Sequence, residues 1–122
     1  MKTILVIEDN PVNLELVTDL LEIAGYEILQ AMSAEEGIEQ ARGAQPDLIL
    51  MDVRLPGMDG LSATRILKSD AATQHIPVIA LTAQAMKGDE EEALAAGCDA
   101  YLSKPIDTRA LPQVIARVLE EK

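Results

Sequence analysis

The sequence predicts an α/β protein with a doubly wound parallel sheet. Five short apolar runs alternate with five segments of helical spacing along 122 residues. The runs are apolar at nearly every position, the pattern of strands buried on both faces. No Gly-, Ser- or Pro-rich linker, internal repeat or low-complexity tract divides the chain, so 1–122 reads as one domain.

Thr3 to Ile7 is a β-branched apolar run and predicts the first strand. Asn10-Pro11 then supplies a helix cap followed by proline at the first helical position. Leu14, Val17, Leu20 and Leu21 carry the helical spacing, and Gly25 supplies the stop. Tyr26 to Gln30 predicts the second strand. Ser33 with Glu36 three residues on predicts a capping box for the second helix, which Gly37 weakens from inside. Pro46 ends the connection, and Asp47 to Met51 predicts the third strand.

Gly60 to Lys68 predicts the third helix, and Ile76 to Leu81 the fourth strand. Asp89 to Ala96 predicts the fourth helix, with Asp89 and Glu92 spaced as cap and partner and Gly97 as its stop. Ala100 to Leu102 predicts a short fifth strand. The last helical segment runs from Asp107 to Glu120 with Pro112 inside it. A proline there removes a donor and clashes with the preceding turn, so a separate turn over Asp107 to Ala110 and a restart near Leu111 are expected.

Composition narrows the function. Hydrophobic residues make up 48% and charged residues 25%, a globular balance that argues against disorder. Ten Lys and Arg against 21 Asp and Glu leave a net charge of -11. Such a chain repels phosphate backbones and anionic lipid and suits cations or basic protein surfaces. Nucleic-acid binding and membrane insertion are therefore not expected. The longest apolar runs, Ile4 to Ile7 and Leu48 to Met51, are too short to span a bilayer. Glu8 and Asp9 end the N-terminal apolar stretch too early for a secretory signal. Cys98 stands alone, which rules out an internal disulfide or cysteine zinc cluster and points to a reducing, cytoplasmic compartment. With two Tyr and neither Trp nor Phe, aromatic stacking platforms are absent.

In an open sheet of this kind, ligands bind beyond the carboxyl ends of the strands. Glu8 and Asp9 follow strand one, Asp52 follows strand three, Thr82 strand four, and Lys104 strand five. A lone acid at a strand end is ordinarily a helix cap or a solvated loop residue. The fitting residue type after four separate strands, in order, is a different matter. If the sheet is parallel, three carboxylates meet at one edge, and they can all stay ionised only around a cation. Hard oxygen ligands in small number suit Mg²⁺, which shares its shell with water and phosphate oxygens. A carboxylate there can attack phosphorus and form an acyl phosphate. Lys104 could neutralise charge on the transferring group, and Thr82 could donate to a phosphoryl oxygen.

These residues carry a resemblance. The pieces ILVIEDNPVN, DLILMDVRLPGMDG, PVIALTA and GCDAYLSKPI, in this order and spacing, resemble the receiver domain of two-component response regulators over nearly the whole chain. TAQAMKGDEE followed by GCDAYLSKPI is most similar to single-domain receivers of the DivK type, and some receivers of hybrid histidine kinases look alike here.

The resemblance implies a flavodoxin-like (βα)5 sheet in the order 2-1-3-4-5. It implies that Asp52 accepts a phosphoryl group from a phosphohistidine on a sensor histidine kinase or histidine phosphotransfer protein. Asp9 and Asp52 would bind Mg²⁺ directly, with the backbone carbonyl of Arg54 as third ligand and Glu8 acting mainly through water. Thr82 would move to the phosphoryl group, Tyr101 would turn inward, Lys104 would pair with phosphoryl oxygens, and the bond from Lys104 to Pro105 would be cis. A surface around Asn10, Pro11 and Asn13 on helix one would face the kinase helices.

Glu8 stands where many relatives have Asp, which lengthens the reach and keeps the charge. Arg54 and Gln84 would flank the water that hydrolyses the acyl phosphate, and are expected to set phosphoryl lifetime. Helix four is the weak element, with Gly88 at its start, three successive Glu and Leu94 as its only large apolar residue from Asp89 on. Met86, Leu94 and Tyr101 are candidates for an output surface on helix four, strand five and helix five, where a downstream protein or a second copy could bind. Three other residues read as ordinary: His75 as exposed, Cys98 as a buried filler, and Gly57 and Gly60 as turn formers.

The expected function is a phosphorylatable switch that acts by protein binding and catalyses only its own phosphoryl transfer and dephosphorylation, with no output domain after helix five. A receiver cut from a hybrid kinase and an unphosphorylated scaffold are the alternatives. An aspartyl-phosphate phosphatase would need an acid where Arg54 stands. A flavodoxin-type cofactor domain would need a hydroxyl- or Gly-rich loop where Glu8-Asp9 stand.

Overall fold

The computed structural model describes residues 1–82, 87–104 and 106–120, with residues 87–89 given by their backbone alone. The expectations for Gln84, Met86 and Pro105 lie outside the described residues. Elements follow as β1 (Thr3–Ile7), α1 (Pro11–Ile23), β2 (Glu27–Ala31), α2 (Ala34–Ala44), β3 (Leu48–Asp52), α3 (Gly60–Ser69), β4 (Val78–Thr82), α4 (Lys87–Ala96), β5 (Ala100–Ser103) and α5 (Ala110–Glu120).

All strand pairs are parallel, in the order β2-β1-β3-β4-β5. After β2 the chain crosses back past β1, so β1 and β3 become neighbours at the switch in winding direction. Alternate strand residues feed two cores. Leu5, Ile7, Ile49, Met51, Val78 and Ala80 pack with residues of α2, α3 and α4, including Ile38, Leu67 and Ala93. Ile4, Val6, Leu48, Leu50, Ile79 and Leu81 pack with residues of α1 and α5, including Leu14, Val17, Leu21, Leu111 and Ile115. Every residue of β3 and β4 is buried, which is why these runs are continuous rather than alternating.

The local signals hold in most places. Asn10 accepts the amides of Val12 and Asn13 at 2.9 and 3.3 Å, and Pro11 occupies the first helical position. Gly25 at φ +98° and Gly97 at φ +107° end α1 and α4 in the left-handed conformation that glycine adopts without strain. His75 is exposed and Cys98 buried. Half of the capping box is present: Ser33 accepts the Glu36 amide at 3.2 Å, while the Glu36 carboxylate accepts from Gln40 one turn on.

Several boundaries differ from expectation by one or two residues, β2 (Glu27–Ala31) and the start of β4 (Val78) among them. Asp52 and Thr82 are the last residues of their strands, because ladder pairing continues one residue beyond the apolar run. Helix α4 begins at Lys87, so Asp89 lies in its first turn and is not the cap. An acid is favoured at both positions by the helix dipole, and spacing alone does not separate them. Asp107 forms the expected turn, accepting the amides of Arg109 and Ala110 at 2.8 and 3.1 Å. α5 then starts at Ala110, one residue early, and Pro112 falls in its first turn, where a missing amide costs no helical bond.

Candidate functional site

The switch in winding direction brings the ends of β1 and β3 together. Ile7 pairs with Met51, so Glu8 and Asp52 each lie one residue further along adjacent strands. Thr82 pairs with Ser103, and the Lys104 amide donates to the Thr82 carbonyl at 2.6 Å. Glu8, Asp9, Asp52, Thr82 and Lys104 thus share one rim of the sheet, as their positions after separate strands predicted.

Within the rim, carboxylate oxygens of Glu8, Asp9 and Asp52 lie within 4.8 Å of one another. Glu8 and Asp52 are 2% and 4% exposed. Lys104 Nζ is 2.7 Å from Glu8 Oε1 and 3.4 Å from Asp52 Oδ2. The other Asp52 oxygen, Oδ1, accepts the Arg54 amide at 3.0 Å. Glu8 Oε2 is buried and accepts no hydrogen bond. Thr82 is 1% exposed at the end of β4.

Two buried acids sharing one lysine divide their protons unequally. Burial pushes the Asp52 carboxyl up to about 7, and the adjacent Glu8 carboxyl adds to that rise. Burial pushes Glu8 up as well, but its interactions with the neighbouring Asp52 and Lys104 outweigh burial and hold it low. Burial pulls the Lys104 ammonium down, and the two carboxylates more than reverse this. Of the two acids, Asp52 keeps its proton to the higher pH.

A buried carboxylate oxygen without a donor, beside two more carboxylates, is a poor arrangement unless a cation completes it. The donors are all hard oxygens, which fits Mg²⁺.

Arg54 lies on the β3–α3 loop with its side chain exposed. It lines a cleft of about 640 Å³ that also touches Asp9, Asp59, Arg65 and Glu92. Tyr101 is the second residue of β5, partly buried against the α2–α3–α4 core, and so sits below the rim rather than on it.

Sequence reasoning missed two features. One is the direct ion pair between Lys104 and Glu8, which needs the folded distance. The other is Gly60, read only as a turn former. It opens α3 against the Asp52 backbone: a Cβ on Gly60 would strike the Asp52 carbonyl oxygen and stand 2.9 Å from its carbon. A glycine at a helix start that a turn does not require was the available signal.

A doubly wound sheet in this order, with an acid triad and a lysine at the β1–β3 rim, is the architecture of a receiver. The chain matches the response regulator receiver domain over residues 4–116 and belongs to that family. It is 48% identical to the polar-differentiation response regulator DivK of Brucella ovis over 118 residues, covering 97% of this chain and 96% of that protein. A protein described as a response regulator from Chloroflexus aurantiacus superposes with a TM-score of 0.94 at 31% identity, covering 98% of each chain. The receiver domain of a sensor histidine kinase from Pseudomonas aeruginosa, with a magnesium ion coordinated in its active-site cleft, gives a TM-score of 0.91 at 38% identity, again over 98% of each chain. The chain is thus a phosphoryl-accepting module of two-component signalling. Among the described residues, no helix is long and apolar enough to cross a membrane.

Proposed function

We propose that Asp52 is the phosphoacceptor and that residues 1–122 work as one stand-alone receiver of the DivK type, in the cytoplasm. The observation that carries this reading is the convergence of Glu8, Asp9 and Asp52 within 4.8 Å, with Lys104 beside Asp52. The donor is a phosphohistidine on a sensor kinase or phosphotransfer protein. An Asp52 carboxylate oxygen forms the new bond to phosphorus. The bond from phosphorus to the imidazole nitrogen breaks, and its electron pair returns to the ring.

Asp9, Asp52 and the Arg54 carbonyl would hold Mg²⁺, with Glu8 acting through water. Bound there, the ion supplies charge neutralisation for the phosphoryl oxygens. Lys104 leaves Glu8 or extends past it to pair with a phosphoryl oxygen, and Thr82 donates from the end of β4. Thr82 and Tyr101 then carry the change to the face of α4, β5 and α5, where a downstream protein binds or a second copy docks. On this reading the chain catalyses only its own phosphorylation and dephosphorylation, and Arg54 and Gln84 set phosphoryl lifetime through water access. The donor protein approaches the start of α1, where Val12 is 74% and Leu16 45% exposed.

A receiver that serves a hybrid kinase is the second reading, supported by the 38% identity to such a domain. The higher identity to DivK, over nearly its full length, favours the first.

The test is intact mass after incubation with Mg²⁺ and acetyl phosphate. The protein gains one phosphoryl group, and Asp52→Asn gains none. A wild-type protein that stays unmodified, or an Asp52→Asn variant that is modified equally, overturns the assignment.

A further inference from the structure

We infer that Gly60 is a positioning residue for phosphoryl transfer: its bare Cα seats the first turn of α3 on the Asp52 carbonyl and so clamps the peptide that carries the acceptor carboxylate. The inference rests on Asp52 being the acceptor.

Three contacts hold the two peptides that flank Val53. The Val53 amide donates to the Leu81 carbonyl of β4 at 2.8 Å. The Val53 carbonyl accepts the Gly60 amide at 2.9 Å, which closes the β3–α3 loop into a ring containing Arg54. The Gly60 Cα then packs so closely that a Cβ would meet the Asp52 carbonyl oxygen, with its carbon and the Val53 Cα both at 2.9 Å. These are backbone atoms of a buried strand end, and they cannot turn aside as a side chain would. From the far side, the buried Thr64 hydroxyl donates to the Gly60 carbonyl at 2.8 Å.

The loop closed in this way is the one whose Arg54 amide holds Asp52 Oδ1. A shift of the peptide therefore moves the carboxylate directly and also through its hydrogen bond. Gly60 does not have a positive φ, so alanine there meets no backbone strain. Helix propensity by itself predicts that Gly60→Ala is harmless or stabilising. The clamp predicts the reverse at the active site. A misplacement on the order of 1 Å can cost ~100-fold in rate.

The experiment compares wild type, Gly60→Ala and Gly43→Ala at a temperature where circular dichroism shows each fully folded. Gly43 is the control, since a Cβ there meets nothing within 4 Å. Phosphorylation by acetyl phosphate at saturating Mg²⁺ falls at least tenfold in Gly60→Ala, and its Mg²⁺ affinity by calorimetry drops. Gly43→Ala keeps the wild-type rate. A folded Gly60→Ala that is phosphorylated as fast as wild type overturns the clamp. A wild type that takes no phosphoryl group overturns the acceptor assignment instead. Hydrogen exchange on the wild type judges the clamp without any variant: the Val53 and Gly60 amides exchange only at the global unfolding rate, and loop-like exchange at Gly60 overturns it.

Discussion

Lys104 Nζ lies 2.7 Å from Glu8 Oε1, joining residues 96 positions apart in the chain, and lies 3.4 Å from Asp52 on its other side. One ammonium thus serves two buried carboxylates. The site without a cation is held together by a group that the proposed chemistry needs elsewhere.

Lys104→Met should therefore destabilise the protein in chelator at pH 8 by about 2–3 kcal/mol, since it leaves two buried acids without a counter-charge. Water reaches Lys104 in part, so the loss stays below that of a fully enclosed pair. Urea denaturation measures it, and added Mg²⁺ should recover most of the difference. An unchanged midpoint in chelator would show that the ion pair contributes nothing.

The pH dependence has a definite sign. In the folded protein without cation, Asp52 titrates at about 7, against ~3.9 for an unfolded aspartate. Between those values the folded state holds more proton. The stability from this group is complete below pH ~4 and is lost as pH rises through about 7. Glu8, held low, contributes with the opposite sign and loses its share in acid. Thermal melts in chelator should show wild type falling relative to Asp52→Asn from pH 5 to pH 8. A constant difference across that range would contradict the assignment.

Removing the divalent cation should matter more as pH rises. With Mg²⁺ in excess, the decline of wild type above pH 6 should flatten, because the metal takes the place of the proton on Asp52. Asp52→Asn should gain much less from the metal. The melting temperature with and without EDTA reports both.

Two glycines of one helix should respond in opposite directions to alanine. A Cβ on Gly37 would strike Ile7 Cδ1 in the core and lie 2.7 Å from its Cγ1, whereas one on Gly43 meets nothing within 4 Å. Gly37→Ala should cost about 1–3 kcal/mol by overpacking. Gly43→Ala should gain up to ~1 kcal/mol from helix propensity. Chemical denaturation of both variants checks the pair.

Arg54→Ala should change the decay of the phosphorylated protein by a few-fold without changing the fold, because its side chain is exposed over the cleft beside Asp9. Loss of phosphoryl mass with time after donor removal measures it. Decay equal to wild type would remove Arg54 from control of the hydrolytic water.

Much of the molecule was legible before folding because its signals are local. The buried runs from Ile4 to Ile7 and from Leu48 to Met51 announce strands covered on both faces. Asn10-Pro11 and Gly25 mark the ends of α1 through bonds within one turn. Even the rim was legible, since a parallel sheet must carry Asp9, Asp52, Thr82 and Lys104 to the same edge.

Relations between elements were decided only by tertiary packing. Leu94 is 50% exposed, so α4 is held to the core by Ala93 and Ala96 among its described side chains, which no periodicity in so polar a helix revealed. Gly60 looks like any turn glycine until α3 is laid against Asp52. The Lys104–Glu8 pair depends on the spacing of β1, β3 and β5 across the sheet. The amino-acid order determined which residues could form elements and which end of each strand is charged. Distances between those elements arise from close packing of side chains far apart in the chain, and these set the proton balance at Asp52 and the grip on its backbone.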